Sequence, residues 1–184
     1  MKKSRTKLIL LGAVAILALP AAADDPGREF SATAVMQTTS DTRRMPVTFL
    51  ANRFTPVENA QHLAGVLEQG GQGALLSALT GRADGQFELV ALRMPVALVV
   101  AEPHRKGYRY LFLTARRIQV EETTFGEESL DYPFGIAEFE VDGFGRGEGR
   151  IHVAAALRID ADGHIEIDDY DGEDGTLEDI RQVR

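Results

Sequence analysis

The sequence predicts an α+β fold, a curved and largely antiparallel sheet of seven to nine strands with one helical segment, about residues 56–80, packed on it. Three observations lead there. Asp142-Gly143 and Asp162-Gly163 each stand between runs of alternating apolar and polar residues, the mark of a β-hairpin, so Phe134 to Tyr170 reads as a three-strand meander. Thr55-Pro56-Val57-Glu58 reads as a helix start, with Thr55 as cap, Pro56 at the first helical position and Glu58 closing a capping box. The remainder is dominated by short β-patterned runs separated by turn residues.

The chain has 184 residues, and the first 23 read as a secretory signal peptide. Lys2, Lys3, Arg5 and Lys7 precede the apolar run Leu8 to Leu19 and the small-residue stretch Pro20 to Ala23. That run is too short to span a membrane comfortably, and no cysteine follows it to take a lipid. The expectation is export to the periplasm or beyond the cell, with a mobile leader at 24–29 and a single domain at 30–184. The signal segment holds four of the 20 Lys and Arg residues and none of the 28 Asp and Glu residues, which leaves 16 against 28, a net −12. Such a surface repels nucleic acid and favours cations and basic partners. With no cysteine anywhere, disulfides and thiol chemistry are excluded.

From the start of the domain, Phe30 to Gln37 alternates as a first strand and Met45 to Arg53 as a second, with Pro46 suited to strand entry. Val57, Ala60, Leu63, Ala64 and Leu67 then repeat at helical spacing until Gly70-Gly71, and Ala74 to Leu79 forms a shorter helical piece stopped by Gly81. Phe87 to Arg93 reads as one strand, and Val96 to Ala101, apolar throughout, as a central strand buried on both faces. Pro103 to Gly107 is a hairpin loop, and the strand returning from Tyr108 puts Tyr108, Tyr110 and Phe112 on one face and Leu111 and Leu113 on the other. Glu121 to Asp131 reads as an acidic surface loop.

Register can be predicted where faces must match. A three-residue turn, Ala161-Asp162-Gly163, pairs Ile159 with Ile165, Leu157 with Ile167 and Arg158 with Glu166. The same test on the first hairpin sets Val141 opposite Gly145, Phe139 opposite Gly147 and Ala137 opposite Gly149, with Glu140 facing Arg146.

The glycines at 143, 145, 147 and 149 do not make a phosphate loop, because a strand pattern follows them where a helix N-terminus is required. Their expected role is to let the strand bend, or to let an aromatic such as Phe139 lie across the backbone. Asp160, Asp162, Gly163, Ile165 and Asp169 imitate part of an EF-hand, yet Arg158 occupies the position of its first carboxylate. Asp168, Asp169, Asp171, Glu173 and Asp174 form a separate oxygen-rich cluster, a candidate site for a hard cation such as calcium, set against the plainer reading of a solvated acidic loop. His104, Arg105 and Lys106 make a compact basic tip, either a charged hairpin loop or a contact for an anion or partner. His62 has no second histidine at metal-ligand spacing, and the serines of the mature chain sit in no nucleophile motif, so the sequence favours a noncatalytic protein and names no catalytic or cofactor-binding residue.

Arg116-Arg117-Ile118 with Glu122, Leu130 to Phe134, and Gly145 to Gly149 together resemble a group of exported bacterial proteins of uncharacterised function. The resemblance covers residues 85–184 and implies a single secreted domain, with no activity or ligand attached to it. Two functional expectations follow from the residues. The first is a protein that binds a small apolar or amphipathic ligand in a cavity made by sheet curvature. The alternative is a periplasmic module that binds a protein partner and has no cavity, with an enzyme ranked last.

Overall fold

The computed structural model describes residues 5–8, 27–37, 41–90, 92–105, 107–118, 131–160, 165–169 and 174–184. Most of the expected signal peptide and leader, nearly all of the 121–131 loop, the turn at 161–163 and Lys106, Asp171 and Glu173 lie outside these residues. The elements in chain order are β1 (Arg5–Leu8), β2 (Arg28–Gln37), β3 (Thr42–Ala51), α1 (Val57–Leu79), β4 (Gly85–Leu89), β5 (Leu92–Val96), β6 (Leu98–His104), β7 (Gly107–Thr114), β8 (Phe134–Asp142), β9 (Arg146–Ile159), β10 (Ile165–Asp169) and β11 (Asp174–Gln182). Among the described residues, no helix is long and apolar enough to cross a membrane.

The strands form one 11-stranded antiparallel sheet ordered β5-β4-β3-β2-β11-β9-β8-β7-β6, with β10 on the second half of β9 and β1 on β10. This exceeds the seven to nine strands expected. One reason is that the 87–93 run divides into β4 and β5 at a turn where Val90 takes φ 54°. The other is that β1 and β11 lie in segments whose basic or acidic composition hides their pairing. Strands β5 and β6, consecutive in the chain, stand at opposite ends of the hydrogen-bonded order. The chain bends between them at Ala97, whose N–H donates to Leu113 O, and this bend curls the sheet into a nearly closed barrel. Val96 to Ala101 is therefore not a central strand. Val96 to Val99 are buried on both faces, but because the barrel lies on one side and α1 on the other.

Inward-facing alternation fills the barrel with rings. Phe30, Phe49, Phe87, Tyr110, Phe112 and Phe139 are each at most 2% exposed, and those in ring contact lie with centroids 4.6–6.3 Å apart. The opposite face of the same strands carries a second core. There Leu63, Leu67, Leu75 and Leu79 of α1 pack on Leu111 and Leu113 of β7, Ile136 of β8, Leu157 of β9 and Ile167 of β10. The expected faces of the Tyr108–Leu113 strand are thus both used, one for each core.

Helix α1 covers the expected segment but starts differently. Pro56 is its N-cap, with no side-chain cap. Thr55 is instead buried, its hydroxyl donating to Asp84 Oδ2 at 2.7 Å and accepting the Val99 N–H at 3.2 Å. A buried carboxylate binds the hydroxyl more strongly than a helix end that water can reach. The Gly70-Gly71 break is present as a kink, with Gly71 at φ 68°, ψ −167°.

The C-terminal meander divides the register predictions. Ile159↔Ile165, Arg158↔Glu166 and Leu157↔Ile167 pair as expected. The first hairpin is shifted by two residues, to Val141↔Gly147, Phe139↔Gly149 and Ala137↔Ile151, and Glu140 faces Glu148 rather than Arg146. The cause is a wider loop. Asp142 O accepts the Gly145 N–H at 3.0 Å, Asp142 Oδ1 accepts the N–H groups of Phe144 and Arg146, and Gly145 takes the left-handed φ of 76° that closes such a bulged turn.

Candidate functional site

The glycine run on β9 brings the outer surface of the sheet to a groove. A Cβ on Gly149 would lie 2.2 Å from Glu138 O and 2.4 Å from Phe139 Cβ, so only glycine permits this approach of β8 and β9. The glycines thus serve the expected purpose, with Phe139 across Gly149 rather than Gly147. On the other side of β9, the register of β11 slips between Leu177 and Ile180, and Asp179 takes φ 54° there. An open groove of about 610 Å³ lies over β8, β9 and β11 beside this close approach and bulge.

Its lining is charged. Five carboxylates, of Glu138, Glu140, Glu148, Glu178 and Asp179, face it with two guanidiniums, of Arg109 and Arg150. Arg109 donates to Glu140 at 2.8 Å, and Arg44, outside the groove, donates to Glu178 at 2.6 Å. The hydrogen bond from Arg109 holds the Glu140 carboxyl below the usual carboxylate range; partial burial opposes this, and His104, Arg109 and Arg105 add attraction. Close by on β6, Glu102 is pushed up by burial, against the attraction of Arg109 and His104.

Of the expected basic tip, His104 stands with Nε2 3.2 Å from Glu140 Oε1, so it serves an acidic neighbour within the protein. Arg105 is exposed at the turn with φ 47°. The candidate cation cluster is not brought together where it is described. Asp168 accepts from Arg158 at 2.7 Å, whereas Asp169 Oδ1 lies 2.6 Å from His152 Nδ1. Asp174 is placed on β11 by its backbone, opposite His152 in register. Among the described residues, no group of three or more His, Cys, Asp or Glu side chains could hold a metal ion.

His152 is the residue that sequence reasoning missed. It is fully buried on β9 beneath the groove, between Asp169 of β10 and Glu138 of β8, whose Oε1 lies 3.7 Å from Nε2. Asp169 fixes the ring's orientation, and Glu138 joins it to the groove wall. A histidine inside an alternating run gives no hint of this, because its partners come from two other strands. Chemically the pair is a polar tie holding β8, β9 and β10 in one arrangement.

A second buried polar knot closes the far end of the barrel. Asp84, 1% exposed, accepts from Thr55 at 2.7 Å, Arg53 at 2.7 Å and Arg82 at 3.1 Å. Burial pushes its carboxyl up, but these three hydrogen bonds outweigh burial and leave it below the usual value. Its three donors tie the segment before α1 to the segment before β4.

Two apolar spaces bear on ligand binding. The barrel interior is occupied by the rings already described, and the void between α1 and the sheet measures about 40 Å³. Comparison with family models, with curated proteins and with solved structures gives no match, so the functional reading rests on the chain's own residues.

Proposed function

We propose that the protein is an exported, noncatalytic module that binds a basic protein partner along the acidic groove of β8, β9 and β11. The observation that carries this reading is the groove itself, with five carboxylates against two guanidiniums on a chain of net charge −8. A complementary field of this kind steers a basic partner and sets its orientation. The aromatic filling of the barrel leaves no room there for an apolar ligand, and the pocket of about 300 Å³ between α1 and β9 is lined in part by Glu68, Arg158 and Asp160, which favours this reading over a carrier of apolar ligands. Export comes from the reading of residues 1–23 as a signal peptide, and the groove's polar rim suits a wet, reversible contact.

Native mass spectrometry of protein purified from its own envelope tests this directly. The expected spectrum shows the chain alone or with a second polypeptide, and Glu148→Lys weakens that complex about tenfold, most of it in association rate. A bound molecule of a few hundred daltons, retained after Glu148→Lys, would overturn the partner reading and restore the ligand carrier.

A further inference from the structure

We infer that the outer edge of β10, Ile165–Asp169, is a strand-docking edge for an extended basic segment of a protein partner, and that the chain's own leader occupies it before processing. Strand β10 pairs with β9 on one side and with β1 on the other. Its second neighbour, Arg5–Leu8, falls within the segment read as a signal peptide. The inference rests on the reading of that peptide as removed on export. Once it is gone, the N–H and C=O groups of β10 that faced β1 have no ladder partner among the described residues, which is the condition for β-strand addition.

The leader shows what the edge accepts. Its register sets Arg5 opposite Asp168, Thr6 opposite Ile167, Lys7 opposite Glu166 and Leu8 opposite Ile165. Basic residues thus stand across from Glu166 and Asp168, two of the three carboxylates of β10, and opposite charges at facing positions stabilise a strand pair. A second observation agrees. Asp168 is 5% exposed in its side chain, and Oδ2 accepts from Arg158 while Oδ1 has no hydrogen-bond partner among the described residues. A buried carboxylate oxygen without a donor calls for a cation beside it.

The same charges oppose the simplest competitor, a second copy of this chain. Antiparallel self-pairing of β10 centred on Ile167 would set Glu166 against Asp168 twice, carboxylate against carboxylate, which disfavours the pair. The occupant is therefore a strand with basic residues two apart and small or apolar residues between and beside them.

The test uses the exported protein, its N-terminus sequenced, and a synthetic peptide spanning residues 2–10 as the probe. The expected result is saturable amide shifts concentrated on Ile165–Asp169. A peptide carrying Arg5→Glu and Lys7→Glu binds at least tenfold more weakly, and either Thr6→Pro or Lys7→Pro in the peptide abolishes binding by removing an N–H that faces β10. Glu148→Lys in the protein leaves these shifts in place. Absence of shifts at millimolar peptide, equal binding of the charge-reversed peptide, or tolerance of both prolines overturns the inference. Shifts that move to Gly147–Arg150 overturn it while leaving the groove reading intact, and an exported chain that retains Arg5–Leu8 overturns it as well.

Discussion

Replacing Phe139 with alanine asks whether the barrel is solid. The ring is 2% exposed and touches four others, with centroids 5.1 Å from Phe30, 5.2 Å from Phe49, 5.5 Å from Tyr110 and 5.5 Å from Phe112. Removing it forfeits a transfer term of about 2 kcal/mol. It also opens a space on the order of 100 Å³, and at about 24 cal/mol per Å³ that adds about 2.4 kcal/mol. The walls cannot close this space cheaply, because they are strands held in register on both sides. The expected loss is therefore about 4 kcal/mol, in the middle of the range for Phe→Ala. Urea unfolding followed by far-ultraviolet circular dichroism should show the midpoint fall by about 2 M, given a slope of about 2 kcal/mol per M. Benzene or indole should bind the variant and recover part of the loss, as apolar probes do in dry engineered cavities. A loss below about 1.5 kcal/mol, with the slope unchanged, would mean that the rings are loosely held and that the interior has room for a ligand, which would defeat the reasoning.

Gly149→Ala should cost at least 3 kcal/mol or prevent folding, because the new Cβ meets backbone that cannot move independently; Gly65→Ala on α1, with nothing within 4 Å, should instead gain about 0.5–1 kcal/mol by thermal melting. Asp84 lies below the usual carboxylate value, so the stability it contributes is fully present above the unfolded value near 4 and is lost as pH falls through its lower folded value. Asp84→Asn should cost about 2 kcal/mol at neutral pH and flatten the fall in urea midpoint between pH 5 and 2; an unchanged acid limb would refute this. His152→Leu leaves the Asp169 carboxylate buried beside an apolar side chain and should cost about 3–5 kcal/mol, whereas His152→Leu with Asp169→Leu should recover part of it in a double-mutant cycle.

Much of the fold was legible because burial on one face leaves a periodic trace. Leu157 and Ile167 had to share a face, and that single requirement set the register of β9 against β10. Phe139 faced a run of glycines, which have no side chain and so no face to match, and the hairpin register there slipped by two. In β11 the inward residues Leu177 and Ile180 are three apart because of the bulge between them, so alternation was broken in the strand that joins the two halves of the sheet. The groove was legible only in part, since the role of the glycines beneath Phe139 could be foreseen whereas its carboxylates come from different strands. Thr55 shows the limit of local rules, because its capping pattern was sound and a buried carboxylate 29 positions away took the hydroxyl.

The place of β11 between β2 and β9 also governs how the molecule can be assembled in time. A chain made from its N-terminus onward presents β2–β5 and β6–β9 as two partial sheets, continuous at the bend at Ala97 and tied between Thr55 and Val99, each with a row of unpaired backbone groups where β11 belongs. Neither partial sheet can complete its ladder until Asp174–Gln182 has been synthesised, and the contacts that strand makes with Phe30–Met36 span nearly the whole domain. Contacts of such separation form slowly. The nascent chain therefore remains open for most of its synthesis, and the final strand acts as the fastener that converts two sheets into one barrel.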